Sequence, residues 1–539
     1  GPVQMRGMGG GFTQILLNGE RIPPGFSIEQ ITPEQVERIE ILRAPTAETG
    51  ARAIAGTINI ILREPLRARH NDIRAGITSE RRHFSEDASW SRNDSLSDTG
   101  TYNMSLSVRH SDQLTDTLAR TLYTNTLSGA TDLDQRNFSQ QLGIGNHLFF
   151  SSRLQWRLGP GENFTLTPFI VSHRNHSATE GRLDQFAGAQ PAQYATSRNR
   201  ADINFDVMRF MSMLNKRIDQ DTRYELRASG GQFSSDTFSA LNQFSSSGAR
   251  TLLQTTGTDA KDRSWNIAGK LSHSWGDAKH ALVGGWELEG VKRTENSLTL
   301  LNGVQQLADF GEQLNVATRR TAFYAQDEWD PRPEFGSYFG LRWESIETRS
   351  DTNNANVRNT SRVLTPLAHG VWRFAAPSRD QLRLSLTQSY RAPTTQSLVS
   401  RPSLNTLFPV PGANTSVTPD RAGNPLLKPE LANGIDLAYE NYLKAGGIVS
   451  VNLFARRIRD LIRNVTALET VSWATSQRYV SRPQNLGNAT TRGIEFDAKF
   501  QLTELIDSAA PVNVRANLSL YNSSVDGVKG PNNRIDQQP

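Results

Sequence analysis

The chain of 539 residues has no cysteine. That excludes a disulfide framework and thiolate metal sites, and it is ordinary for a protein that faces the periplasm or sits in an outer membrane. It also lacks a charge of one sign. With 59 basic and 54 acidic residues the net charge is only +5, which is too balanced to call for a nucleic-acid partner even though the pI is near 9.4. No apolar run approaches the roughly 18 residues of a membrane-crossing helix. The longest aliphatic run, Ile58–Leu62, is itself broken by Asn59. The given residues open at Gly1-Pro2-Val3, already inside a structured pattern and without a signal-peptide pattern, so an earlier beginning is expected to have been removed. No Gly-x-Ser-x-Gly or His-Glu-x-x-His element occurs, and the glycines at 7, 9, 10 and 11 are closed by no Gly-Lys-Ser/Thr. No catalytic residues, no cofactor and no enzyme activity are therefore expected. Of the nine histidines, His173 and His176 lie closest, but on a strand that spacing points them to opposite faces, so no metal site is expected.

What the sequence does have is alternation. Residues 1 to about 65 read as a compact α+β unit. Ile15-Leu16-Leu17-Asn18-Gly19 is a strand ending in a turn, and Thr32-Pro33-Glu34 starts a helical turn. Val36–Leu42 alternates apolar and charged residues, and Gly56–Leu62 is a further strand. After Pro65, long period-2 segments take over. Trp265, Ile267, Gly269, Leu271, His273 and Trp275 share one face, and Asn266, Ala268, Lys270, Ser272 and Ser274 the other. Leu382, Leu384 and Leu386, then Val449, Val451, Leu453 and Ala455, then Ile494, Phe496 and Ala498 repeat the pattern. Short turns such as Gly159-Pro160-Gly161-Glu162 and Gly276-Asp277 alternate with polar stretches read as long loops at Ser85–Thr101, Ser177–Ala201 and Ser400–Pro425. Trp329, Trp343, Trp372 and Tyr390 sit near strand ends, where membrane barrels carry aromatic girdles. About sixteen to eighteen strands of this kind, ending near Val512–Ser523, predict a transmembrane antiparallel β-barrel. A soluble β-propeller also alternates, but no repeat of fixed period is present.

The residues also carry a family resemblance. Arg6-Gly7, Leu17-Asn18-Gly19, Val36-Glu37-Arg38-Ile39-Glu40-Ile41-Leu42-Arg43-Ala44-Pro45 and Ala55-Gly56-Thr57-Ile58-Asn59-Ile60-Ile61 follow the order and spacing of the plug of TonB-dependent outer-membrane receptors of the siderophore-receptor type, which they resemble closely. Ala44 stands where that family has glycine, and Glu48-Thr49-Gly50 where it often has Leu-Tyr-Gly. Further on, Phe323–Trp329, Tyr390-Arg391-Ala392-Pro393, Gly423–Glu430 and Asn485–Asn488 with Thr491–Phe496 resemble four boxes of the family's barrel.

The resemblance implies a plug at residues 1–65 held in the lumen of a barrel at residues 66–539. It implies about 22 strands for the full barrel, so the barrel is expected to be incomplete, lacking C-terminal strands and leaving an open seam. It implies the outer membrane of a Gram-negative bacterium, import of a scarce nutrient, and TonB as the energy-coupling partner, whose contact box would precede residue 1. The expected cargo is a ferric siderophore or similar chelate. Haem is not expected, because the interval Arg391–Pro425 contains no histidine. Plug–barrel charge contacts are expected from Glu37, Arg38, Glu40 and Arg43 to Glu430 and Glu495, since an unpaired charge in a lumen is costly. Substrate contacts are expected near Arg6, Phe26, Glu34 and Gln35. Arg81, Arg82 and His83 form a basic patch facing solvent or lipopolysaccharide, with outer-membrane lipid as the surrounding partner. Two other readings share part of this pattern: a passive porin, which needs no plug, and a signal-transducing receptor, whose extra domain would precede the plug.

Overall fold

The computed structural model describes residues 12–21, 36–42, 45–50, 52, 54–62, 69–125, 128–188, 191–277, 279–352, 355–374, 378–399, 401–405, 412–443, 446–506, 509–526 and 533–535. Two sheets organise them. The smaller contains β1 (Thr13–Leu17), β2 (Glu20–Arg21), β3 (Val36–Leu42) and β4 (Gly56–Leu62), in the order β2-β1-β4-β3. The Asn18-Gly19 pair makes the tight β1–β2 turn with φ of 50° and 80°, the left-handed region that Asn and Gly tolerate. Asn59 accepts the Gly19 amide at 2.8 Å. The polar break in the aliphatic run of β4 therefore secures that turn. The helical turn expected at Thr32-Pro33-Glu34 lies outside the described residues.

The larger sheet is the barrel. Seventeen long strands among the described residues, from His70–Glu80 to Asn513–Val525, make a ring whose strand order closes. Each registered pair of long neighbours is antiparallel. With an odd number of alternating strands, the first and last run the same way, so the closing neighbours are parallel. The strand order returns on itself where an open seam was expected, which corrects that expectation.

The period-2 faces are as expected. Trp265, Ile267, Leu271 and Trp275 are exposed on the outer wall. Ten residues at about 3.3 Å each, tilted by roughly 40°, separate Trp265 from Trp275 by about 25 Å, the height of a barrel's apolar band. Trp329, Trp343 and Trp372 are likewise exposed. Tyr390 is a correction: it is fully buried and points inward. Two of the three polar stretches read as loops are also corrected. Most of Ser85–Thr101 lies in His83–Ser95, with a short turn before Gly100–Thr124, and Ser177–Ala201 carries the ends of Glu162–Gly188 and Thr196–Arg217. Polar residues occupy most positions on both faces of these segments, so the apolar alternation disappears. The third stretch is a true insertion: it follows a short helix at Thr395–Val399 and holds, among its described residues, only the two-residue strand Asp420–Arg421.

The plug sheet sits against inward-facing residues of this wall. Leu17 and Ile60 pack on Phe169, Val171, Val207 and Met211. Phe12, Ile54 and Ala55 pack on Ala432, Ile458, Leu461, Ala489 and Val525. The plug is therefore inside the lumen.

Candidate functional site

The plug reaches the wall most closely through residues 45–52. Thr46 and Thr49 exchange amide-to-hydroxyl hydrogen bonds of 3.0 and 3.1 Å, and the Gly50 amide returns to the Thr46 carbonyl at 3.0 Å. Gly50 has φ of +79°, which explains why glycine stays while its neighbours depart from the family pattern. The turn's other backbone groups are satisfied by the barrel. The Ala47 amide donates to the Tyr338 hydroxyl at 2.6 Å, and the Glu48 amide to Gln326 at 3.1 Å. Arg342 donates to the Ala47 carbonyl at 2.9 Å, and His369 Nε2 to the Pro45 carbonyl at 2.9 Å.

Two ion networks on the wall are completed by this turn. In the first, Arg52 of the plug donates to Glu344 at 3.0 Å and to the Tyr390 hydroxyl at 2.8 Å, and Tyr390 donates to Glu344. Arg342 pairs with Glu344 at 2.5 Å and Glu287 at 2.9 Å. Arg320 pairs with Glu287 and Glu289, each at 2.7 Å, and with Glu344 at 3.3 Å. Three carboxylates thus face three guanidiniums, and one of the three guanidiniums comes from the plug. In the second network Glu48 of the plug accepts Lys270 at 2.6 Å and lies 3.8 Å from Arg227, beside Glu225. A third joint is mixed. Glu430 accepts both Arg391 Nε at 2.5 Å and Nη2 at 2.7 Å, and the Arg391 guanidinium lies 4.1 Å from the ring centre of Phe12.

The charged residues expected to dock the plug do otherwise among the described residues. Arg38 pairs with Glu37 and Glu40, each at 2.9 Å, on the solvent-exposed β3. Glu430 meets Arg391 of the neighbouring strand and not a plug charge, and Glu495 accepts Asn452 at 3.0 Å. These pairings are corrections. β3 is the edge of the plug sheet, and charge there blocks strand addition and need not meet a wall. Arg43, Arg6, Phe26, Glu34 and Gln35 lie outside the described residues. The docking residues that sequence reasoning missed are Glu48 and Arg52 on the plug and Glu287, Glu289, Arg320, Arg342 and Glu344 on the wall. Their available signal was the inward parity of charges flanking the Phe323–Trp329 box.

A cavity of about 370 Å³ lies between plug and wall, lined by Arg38, Glu40, Arg52, Asn59, Arg227 and Lys270 among others. On the long-loop side of the plug, the wall turns aromatic. His147 and His173 are cross-strand partners with Nδ1 atoms 2.8 Å apart, and His173 stacks on Phe205 at 4.7 Å, with Phe233 beyond at 6.0 Å. His176 points to the other face and meets Asp202 at 2.7 Å, as the spacing from His173 requires. Among the described residues no group of three or more metal-ligating side chains occurs.

Above the barrel, Leu461–Glu469, Arg478–Leu486 and Asp420–Arg421 form a small sheet. Its centre is Asp420, which accepts Arg478 at 2.7 and 2.8 Å, the Asn405 amide at 2.9 Å and Trp473 at 3.1 Å. Burial pushes the Asp420 carboxyl up, but these donors outweigh it and hold it below its ordinary value. A depressed folded value means that the stabilisation is present above the ordinary carboxylate range and is lost as pH falls through the folded value. Amide protection of residues 461–486, corrected for intrinsic exchange, is expected to stay level from pH 7 to about 4 and to fall below that. The same fall in Asp420→Asn would reject this assignment.

A family model for the TonB-dependent receptor plug domain matches residues 1–57. One for the TonB-dependent receptor-like β-barrel matches residues 173–539. No curated protein sequence matches. Among solved structures, the siderophore receptor PirA from Pseudomonas aeruginosa aligns with TM-score 0.58 and 16% identity, over 97% of this chain and 79% of that one. The ferric-catecholate import receptor Fiu from Escherichia coli K12 aligns with TM-score 0.61 and 12% identity, over 99% and 76%. A mutant of the P. aeruginosa ferric enterobactin receptor PfeA, in complex with enterobactin, gives 0.57 and 16%, over 96% and 74%. These identities speak to the fold. The two family models, in the order plug then barrel, speak to descent: the chain belongs to the TonB-dependent receptors, outer-membrane proteins that bind and transport and are not enzymes.

Proposed function

We propose that this chain captures a ferric siderophore at the surface of a Gram-negative bacterium and imports it when TonB pulls on the plug. The observation that carries the reading is the chemistry of the plug's seat. Residues 45–52 are fastened mainly by hydrogen bonds and ion pairs. Water can replace such contacts as they open, and the apolar contacts of Phe12, Leu17, Ile54, Ala55 and Ile60 with the wall are what a pull on the plug must still break. The resemblance assigns cargo contacts to Arg6, Phe26, Glu34 and Gln35, and the aromatic stretch of wall with His147, His173, Phe205 and Phe233 offers further contacts.

The test is binding of the intact receptor to ferric siderophores, haem, cobalamin and oligosaccharides. Saturable binding of at least one ferric siderophore is expected, together with uptake that stops in cells lacking TonB. Haem belongs in the panel because His147 and His173 face the lumen. Tight haem binding with a histidine-ligated spectrum, lost in His147→Ala, would reject the siderophore reading.

A further inference from the structure

One strand at the long-loop end of the barrel rises past its neighbour. His83–Ser95 begins at the turn Arg81-Arg82, whose φ of 51° and 70° close a two-residue hairpin between Glu80 and His83. Its pairing with Gly100–Thr124 ends at Glu86 and His110. Ser85 caps the joint: its hydroxyl accepts the Asp112 amide at 3.1 Å and donates to the Asp112 carbonyl at 3.3 Å. Gly100–Thr124 then runs on alone on this side, while its other side stays paired with Thr131–Gly159 as far as Thr124 and Thr131. The backbone groups of Asp112 face the missing neighbour, so by alternation those of Leu114, Asp116, Leu118, Arg120 and Leu122 face it too. Among the described residues no backbone partner meets them, and every residue from Thr115 to Thr124 is exposed. A similar overhang on Ala355–Arg373, whose pairing with Gln381–Arg391 covers only Leu367–Arg373, is treated differently. There the following insertion lies against the strand, and Asn359 donates to the Pro425 and Leu427 carbonyls, each at 2.9 Å.

The free edge reads Leu114-Thr115-Asp116-Thr117-Leu118-Ala119-Arg120-Thr121-Leu122. The residues whose backbone faces the gap are Leu, Asp, Leu, Arg and Leu, a series that complements its own reverse. Laid antiparallel on a second copy about a two-fold axis at Leu118, Leu114 faces Leu122, Asp116 faces Arg120 and Leu118 faces itself. On the other face Thr115 meets Thr121 and Thr117 meets Ala119. Every gap-facing amide and carbonyl of the five residues then gains a partner, about ten bonds in all. Centring the axis on Asp116 or Arg120 would set a charge against its own copy, and centring it on Thr117 or Ala119 would set both charges against leucine. Charges on a sheet edge block pairing; these two block the neighbouring registers and favour this one. Asp116 receives Arg81 at 2.7 Å and Gln140 at 3.0 Å, and Arg120 forks onto Asp134 at 2.9 and 2.8 Å. Both side chains stay reachable, with 34% and 51% of their surface exposed, so pairing would extend a row of alternating sign. Leu118 is 71% exposed beside its cross-strand partner Phe138, itself 44% exposed, and a second copy would cover this apolar pair.

We propose that this edge is an interface between two copies of the chain, joined as one continuous antiparallel sheet. Leu114–Leu122 supplies well under half of the roughly 20–30 residues a side of a standard interface, so the dimer is weak, with a dissociation constant on the order of 10–100 µM. The outward apolar series of this strand, Leu106 and Val108, ends at His110, so the paired segment lies beyond the apolar band. Each strand rises from its own membrane, and antiparallel pairing therefore sets the two barrels mouth to mouth. In cells the two copies sit in apposed outer membranes, and the contact is one between cells.

The chain has no cysteine, so the register can be read by oxidising single-cysteine variants of the full chain in detergent. Leu118→Cys is expected to form a disulfide dimer, because direct cross-strand partners stand about 5.5 Å apart between Cα atoms, within reach of the bond. Leu114→Cys and Leu122→Cys are not expected to crosslink alone, since each stands about 27 Å along the sheet from its own copy. An equal mixture of those two is expected to crosslink. Charge gives an independent readout by sedimentation equilibrium. Asp116→Arg and Arg120→Asp each set like charges opposite at two places and are expected to weaken the dimer about tenfold, while mixing the two variants restores it. Vesicles bearing wild type with the long-loop end outward are expected to cluster, and vesicles bearing Arg120→Asp to stay dispersed. A Leu118→Cys chain that crosslinks no faster than Leu114→Cys or Leu122→Cys alone would overturn the interface. Weakened association in both charge variants without recovery in their mixture would overturn the register. Dimers in detergent from a receptor whose vesicles never cluster would overturn the mouth-to-mouth placement.

Discussion

Glu344→Ala is expected to destabilise the receptor by about 3–5 kcal/mol and to abolish import. Glu344 is completely inaccessible to solvent and receives Arg342, Arg52, Arg320 and Tyr390. Without it, three guanidiniums share only Glu287 and Glu289, and Arg52 keeps only a neutral hydroxyl. An uncompensated buried charge costs more than the lost contact itself. Arg52→Ala separates the two roles of the cluster. The wall then holds three carboxylates against Arg320 and Arg342, while the plug loses its clamp. The expected phenotype is a barrel that still folds but leaks ions past a loosened plug. Glu347→Ala is the control, because its partners Arg349 and Arg358 are exposed and such pairs contribute little. Denaturant melts of the purified protein and uptake in cells measure both effects. A Glu344→Ala protein that melts with wild type would show that the cluster does not hold the barrel together.

The faces of the strands were legible in the sequence because side chains alternate with a period of two. That reading placed Trp265, Leu384 and Leu453 on the outer wall. Register was legible only in part, because a turn fixes it within a hairpin but a bulge then shifts it. The Gly159–Glu162 turn brings His147 and His173 close, yet the shift between Arg157 and Gly159 that makes them direct partners was not readable. The same limit misdirected the charge contacts. Glu37, Arg38 and Glu40 alternate with aliphatics in a way that a docking strand and a solvated edge strand share, and only the sheet order tells them apart. The family boxes were visible, but their roles became clear only in three dimensions. Gln326 and Tyr324 from one box, Tyr390 and Arg391 from another, and Glu430 from a third converge on the plug. Asn485 from the fourth braces Lys428, accepting its amide at 2.9 Å and donating to its carbonyl at 3.0 Å.

That convergence makes Arg391→Ala the second large effect. Arg391 and Glu430 close their two strands as direct cross-strand partners. Glu430 is fully buried, and its other donor is the Ile462 amide at 2.6 Å. Removing the guanidinium strands the carboxylate in an apolar joint built from Ala432, Ile458, Leu461 and Ala489, at a cost of about 3–5 kcal/mol. Phe12 loses its cationic cover at the same time. Arg391→Lys is not expected to rescue, because a point charge cannot make both bonds of the fork and lie flat over Phe12. Glu430→Gln with Arg391 intact keeps one acceptor oxygen and is expected to be milder. Phe12→Ala tests the plug side of the joint, with an expected loss of about 3–5 kcal/mol because the ring is only 5% exposed. The decisive comparison is a double-mutant cycle between Phe12→Ala and Arg391→Ala, read by chemical denaturation. Coupling of about 0.5–2 kcal/mol is expected for a desolvated cation–π contact. Strict additivity would mean that plug and wall are joined here by apolar packing alone.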